Sequence, residues 1–113
     1  MKDDLVYLRH IRDAIDRILD YTHEGKAAFF DDPKTQDAVI RNLQVIGEAT
    51  KRVSDSFKDA HRSVPWRQMA GTRDRVIHDY MGVSLKLVWD IIEAELPEVR
   101  LEIDSILRGR PKK

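Results

Sequence analysis

The chain contains no cysteine, which excludes disulfide bridges, thiolate catalysis and cysteine-based zinc sites. It has no run of 18 apolar residues, so no membrane-spanning helix is expected. Met1-Lys2-Asp3-Asp4 at the start lacks the apolar stretch of a signal peptide, and a cytoplasmic protein with no membrane partner is the expectation. There is no excess of either charge, since 20 Lys and Arg balance 20 Asp and Glu. That argues against a surface coated all over with nucleic acid but leaves room for a local basic site. Alternating strand patterns, internal repeats and low-complexity tracts are missing, as is a glycine-rich phosphate loop after a strand, so a Rossmann or P-loop nucleotide site is not expected. His10, His23, His61 and His78 are scattered, with no HExxH pair and no carboxylates at ligand spacing. Neither a metal nor another cofactor is implied.

What is present fits a single small helical domain. At 113 residues the length suits one domain, 42% hydrophobic residues supply one modest core, and 35% charged residues is high. A bundle this small and this charged is expected to need a second chain to cover its last apolar face. Leu5, Leu8, Ile11, Ile15, Ile18 and Leu19 recur at three- and four-residue steps, which predicts a first helix from Asp3 to about Glu24, stopped by Gly25. Residues 26–31 read as a connection. Asp32 as N-cap and Pro33 at the first helical position open a second helix, expected to reach Phe57 or Lys58, with Val39 or Ile40, Leu43, Ile46, Thr50, Val53 and Phe57 on one side. Gly47 in its middle costs roughly 1 kcal/mol against alanine. Close approach of another helix, within the bundle or across a dimer, accounts for it.

After a polar loop at residues 59–64, Ser63-Val64-Pro65 opens a third helix with Trp66, Met69, Val76 and Ile77 inward. Gly82 is expected to close it in the left-handed conformation. Ser84 caps a fourth helix to about Glu95, with Leu85, Val88, Ile91 and Ile92 in the core. Pro97 starts a short fifth helix carrying Val99, Ile103, Ile106 and Leu107. The fold class is all-α, an up-and-down bundle of about five helices over residues 1–108. Residues 109–113 form a basic tail expected to fray.

The chemistry concentrates between Gly71 and Tyr80. Arg73, Asp74, Arg75, His78 and Tyr80 supply guanidinium, carboxylate, imidazole and phenol, the groups needed to hold a phosphate and move a proton beside it. On an ideal helix residues five apart lie about 140° apart, so Arg73 and His78 face different ways. A loosened helix, a long arginine reaching round, or cooperation across a dimer would each reconcile them. Asp74 and His78, four apart, share a helix face, and the carboxylate could fix the imidazole tautomer. Lys58, His61, Arg62, Arg67, Arg73 and Arg75 make the region locally basic, with Trp66 and Tyr80 available to stack on a base. The plainer reading of the same residues is a solvated, charged helix end.

Arg73-Asp74-x-x-x-His78-x-Tyr80, preceded by Pro65-Trp66-Arg67-x-x-Ala70-Gly71, closely resembles the signature of HepT-like proteins, the DUF86 branch of the HEPN superfamily. The segment from Asp32 to Ala49, ending Val45-Ile46-Gly47-Glu48-Ala49, and Gly82-Val83-x-x-x-x-Val88-Trp89 resemble two further hallmarks of that family. The charged Arg75 is less typical of it. The resemblance implies a homodimeric five-helix bundle, with the motifs of both protomers lining one cleft. It implies a metal-independent endoribonuclease, the toxin of a toxin–antitoxin pair, neutralised when a minimal nucleotidyltransferase partner transfers AMP to the motif tyrosine, here Tyr80. Arg73, Asp74 and His78 are then the expected catalytic residues, and Arg67, Arg75 and Tyr80 the expected RNA contacts. The competing expectation is a catalytically inactive HEPN module that binds nucleotide or RNA, or scaffolds the nucleotidyltransferase. A purely structural dimerisation domain is a third.

Overall fold

The computed structural model describes residues 2–78 and 82–109, with the backbone alone at Lys2 and His78. Two helices of equal length dominate it. Helix α1 (Lys2–Tyr21) buries Leu8, Ile11, Ala14, Ile15 and Ile18, the three- and four-residue stripe read from the sequence. Helix α3 (Pro33–Arg52) starts as the sequence predicts, with the Asp32 carboxylate accepting from the Lys34 N–H at 3.1 Å and Pro33 in the first turn. Of the Val39 and Ile40 pair, Val39 is the core residue; Ile40 stays half-buried.

The second helix is shorter than the sequence suggests. Helix α3 ends at Arg52, and a separate helix, α4 (Asp55–Ala60), follows. The cause is tertiary. Asp4, buried in the first turn of α1, accepts hydrogen bonds from the Ser54 N–H and the Ser54 hydroxyl, both at 2.8 Å. Ser54 in turn accepts from Phe57 N and caps α4. A backbone N–H given to Asp4 is lost to the helical ladder, so the helix must break there. The same contact shows that α1 and α3 run antiparallel, the start of one against the end of the other. The backbone N–H of Ser54 is the main reason the Asp4 carboxylate titrates below its ordinary range, with burial opposing it.

Residues 26–31, read as a connection, form a short helix α2 (Lys26–Asp31) after Gly25, which takes φ 102. Lys26-Ala27-Ala28 favour helix, and one turn is enough to bury Phe29 against Trp89 with ring centroids 5.5 Å apart. Val64, inside the polar loop, is likewise a core residue.

At the C-terminal end, α7 (Leu85–Asp90) and α8 (Leu96–Leu107) are joined without a break through a π turn at Ile91–Glu95, so the expected fourth and fifth helices form one rod. Pro97 explains the π turn. It has no N–H to give to residue 93, and its ring collides with that carbonyl in a regular helix. Widening the preceding turn, with Leu96 N–H donating to the Ile91 carbonyl, relieves the clash without ending the helix. Arg100 on α8 pairs with Asp16 on α1 and fixes the rod against the first helix. Apart from one two-residue bridge, described below, the fold is all-α as expected. None of the described helices is long and apolar enough to cross a membrane.

Candidate active site

The motif stretch is built on α5 (Trp66–Ala70) and α6 (Thr72–Val76), joined at Gly71. Both pack on α3, and Gly47 is what lets α5 approach. A Cβ at Gly47 would sit 3.3 Å from the Ala70 carbonyl oxygen and 3.5 Å from that of Met69. The glycine therefore serves close packing inside the bundle, one of the two readings its position allowed. Thr72 is buried, its hydroxyl 3.0 Å from the carbonyls of both Gln68 and Met69, which locks the start of α6 onto α5.

Helix α6 ends earlier than the sequence predicts. Ile77 leaves helical geometry at φ −103, ψ 122, and Ile77–His78 (β1) pairs antiparallel with Gly82–Val83 (β2). The Ser84 N–H closes the corner by donating to the Val76 carbonyl at 2.8 Å, and the Ser84 hydroxyl then caps α7. Gly82 does take the left-handed conformation, at φ 80, but as one side of this bridge rather than as a helix stop. Two expectations change accordingly. His78 is not on the helix that carries Arg73 and Asp74, so the 140° separation does not apply. Neither does the shared helical face of Asp74 and His78.

The expected site residues fare differently. Arg73 projects from α6, half-exposed, and lines a hollow of about 250 Å³ together with Gln44, Gly47, Glu48, Lys51 and Ala70. Asp74 is largely exposed, and its carboxylate lies 3.8 Å from the Arg73 guanidinium. Arg67 is exposed on α5. Arg75 is turned inward, its guanidinium donating two hydrogen bonds to the Glu95 carboxylate at 3.0 and 2.7 Å. This pairing raises the Arg75 pKa, against the opposing pull of burial. The π turn carries Glu95, so the widened turn before Pro97 and the motif helix are pinned together. Trp66 is not free to stack on a base: it is buried, its indole N–H donates to the His61 carbonyl at 3.0 Å, and its ring packs edge-on to Phe57. The His78 backbone lies in β1, and nothing is described of its imidazole. Tyr80 falls outside the described residues.

Two contributions went unread in the sequence. Glu95 is only the expected end of the fourth helix, because the π turn that aims it at Arg75 cannot be seen in a linear pattern. Gln44, Glu48 and Lys51 recur at helical spacing on α3, a polar stripe beside the apolar one that the sequence does carry. A second hollow, of about 310 Å³, lies between α5 and α8 and carries Glu95, Glu98 and Glu102. Arg75 offsets the charge of Glu95, but Glu98 and Glu102 leave the lining acidic, with no cationic side chain among its residues, so it is not the counterpart of the Arg73 hollow. Among the described residues no three His, Asp or Glu side chains are grouped so as to hold a metal ion.

A family model described as "Ribonuclease HepT-like" matches residues 11–106. The chain is 40% identical to the "Probable ribonuclease HepT" of Thermococcus cleftensis, over 88% of this chain and 92% of that protein. It is 37% identical to the "Putative RNase TTE0752" of Caldanaerobacter subterraneus, over 96% of this chain and 97% of that one. It is 39% identical to the "Putative RNase MJ0127" of Methanocaldococcus jannaschii, over 95% and 89% respectively. No solved structure matches.

Proposed function

The chain belongs to the ribonuclease HepT-like family, and from that premise we propose that it is a metal-independent endoribonuclease. We propose further that it is the toxin of a toxin–antitoxin pair and acts as a cytoplasmic homodimer. The observation that carries the reading is the corner after Val76. Arg73 stands half-exposed at the rim of a hollow, and the backbone leaves the helix at Ile77, so His78 is not carried on the helix that carries Arg73.

In the proposed reaction His78 takes the proton from an RNA 2′-hydroxyl. The 2′-oxygen then attacks the adjacent phosphorus, and the bond to the 5′-oxygen breaks as that oxygen gains a proton. The products are a 2′,3′-cyclic phosphate and a 5′-hydroxyl. A positioned acid–base group of this kind contributes about 10²–10⁴-fold. Arg73 binds the scissile phosphate and offsets the charge that builds on it, worth about 10²–10³-fold by comparison with an oxyanion-hole donor. Asp74 can orient His78 only across the corner, so its contribution is the smaller one. In a homodimer the two corners face one cleft. Transfer of AMP to Tyr80 by a nucleotidyltransferase partner adds bulk and negative charge two residues from His78, where the RNA phosphate must sit.

Purified protein incubated with RNA and a chelator tests the reading. Cleavage that persists with the chelator and disappears in His78→Ala and Arg73→Ala supports it. Chelator-sensitive cleavage removes the metal independence. Absence of cleavage together with tight binding of the nucleotidyltransferase favours an inactive scaffold. Mass spectrometry after mixing with the partner and ATP tests Tyr80 directly, and an unmodified Tyr80 ends the regulatory part of the proposal.

A further inference from the structure

Two hollows meet on the exposed side of α3. The one at Arg73 shares Gln44 and Glu48 with a neighbour of about 150 Å³ lined by Arg41, Gln44, Val45 and Glu48. Together they make one furrow from Arg41 to Lys51, about 15 Å at the helical rise, with Arg73 at its edge. That is long enough for a few nucleotides of single strand. Among the lining residues Arg41, Lys51 and Arg73 bring three cations against the carboxylate of Glu48, and with Asp74 3.8 Å from the Arg73 guanidinium the balance is three cations to two carboxylates. Among the described residues none of Arg41, Gln44, Glu48 and Lys51 spends its side chain on a hydrogen bond or ion pair. Gly47 lies in the same furrow, where a side chain would crowd the Ala70 carbonyl.

A furrow meant only for phosphates gains nothing from a carboxylate, which repels them. Glu48 and Gln44 are one helical turn apart, so their side chains leave α3 about 5–6 Å from each other on one face. Ionised glutamate only accepts hydrogen bonds, whereas the glutamine amide also donates. Guanine suits this pair best among the bases. Its N1–H and N2–H lie side by side for a carboxylate, and its O6 accepts from the amide. Cytosine and adenine offer one amino group there, and uracil a single ring N–H. Unpaired RNA bases are commonly read on this edge.

We propose that the α3 furrow binds the RNA strand beside the scissile phosphate, with Arg41 and Lys51 on the backbone phosphates and Gln44 with Glu48 on a guanine. The proposal deepens the nuclease reading and rests on Arg73 holding the scissile phosphate. It is tested by anisotropy titrations of short unpaired RNAs, with and without a single guanine, in a His78→Ala background where the strand stays intact. Arg41→Ala and Lys51→Ala should each weaken every RNA alike and lower the slope of log affinity against log salt by about 1. Glu48→Gln, a substitution of nearly the same shape on an exposed surface, should cut the preference for the guanine RNA about tenfold. Unchanged salt slopes together with an unchanged base preference would overturn the furrow while leaving cleavage by the unsubstituted protein to support the nuclease reading. If cleavage survives both His78→Ala and Arg73→Ala, the catalytic assignment fails and the furrow's place beside the scissile phosphate falls with it, even where uncleavable 2′-deoxy strands still bind the furrow. A parent protein that binds none of the RNAs removes both.

Discussion

Arg75 can be assigned by separating two roles that the sequence could not distinguish: a contact to RNA, or a pin between α6 and the π turn. The perturbation is a double-mutant cycle of Arg75→Ala and Glu95→Gln. At about 4 Å and an effective dielectric of about 20 the raw attraction of such a pair is on the order of 4 kcal/mol. Immobilising the arginine costs up to about 2 kcal/mol of side-chain entropy. The two side chains are still 30% and 34% exposed, so water screens a further part. The bidentate geometry, at 3.0 and 2.7 Å, keeps the remainder at the upper end for partly exposed pairs. A coupling energy of about 1 kcal/mol follows. Urea unfolding of the four proteins measures it, and a loss of that size lowers the melting temperature by about 5 °C in a domain of this length. Raising salt from about 0.01 to 1 M shortens the screening length from about 30 to 3 Å and should remove at least half the coupling. In RNA cleavage the two single variants should fall together, because either one releases the motif helix. A coupling near zero, with Arg75→Ala weakening RNA binding and Glu95→Gln strengthening it, would refute the pin and return Arg75 to the RNA.

Three other perturbations have outcomes worked from the structure. Gly82→Ala forces a Cβ into φ 80 and should cost about 1–2 kcal/mol in urea unfolding, with a larger proportional loss of cleavage because the bridge to His78 is disturbed. Gly47→Val pushes against two backbone carbonyls at the α3–α5 contact and should destabilise by about 1–3 kcal/mol; a stabilised variant would show that the contact is loose. Asp4 has a folded-state pKa below its unfolded value, so its contribution is complete above the unfolded carboxylate range of about 3.9 and is lost as pH falls through the lower folded value. Asp4→Asn should therefore lower stability near neutral pH and flatten the acid limb of a stability–pH profile. An acid limb of unchanged steepness would show that other carboxylates set it.

The apolar stripes of α1 and α3 were legible because a helix whose core face is made of Leu, Ile and Val at three- and four-residue steps has only one way to bury them. The start of α3 was legible for a local reason too, since Asp32 and Pro33 act within one turn of themselves. Helix ends were less legible. Ser54 and Asp55 make a local cap signal for α4, but the group that takes the Ser54 N–H out of the helical ladder is Asp4, fifty residues away in the sequence. The exit from α6 at Ile77 is likewise set by pairing with Val83 and by the Ser84 N–H reaching back to Val76, partners that a search for helical periodicity ignores.

From its residues alone the chain determines that it is helical and where most of its core lies, and it marks one short stretch as the candidate site, since each follows from spacing and residue type over a few turns. The fold decides which side chains are free to act. It buries Trp66, ties Arg75 to Glu95 and leaves Arg73 at the edge of a furrow. Those outcomes depend on which helices meet, and contacts between residues distant in sequence leave no periodic trace along it.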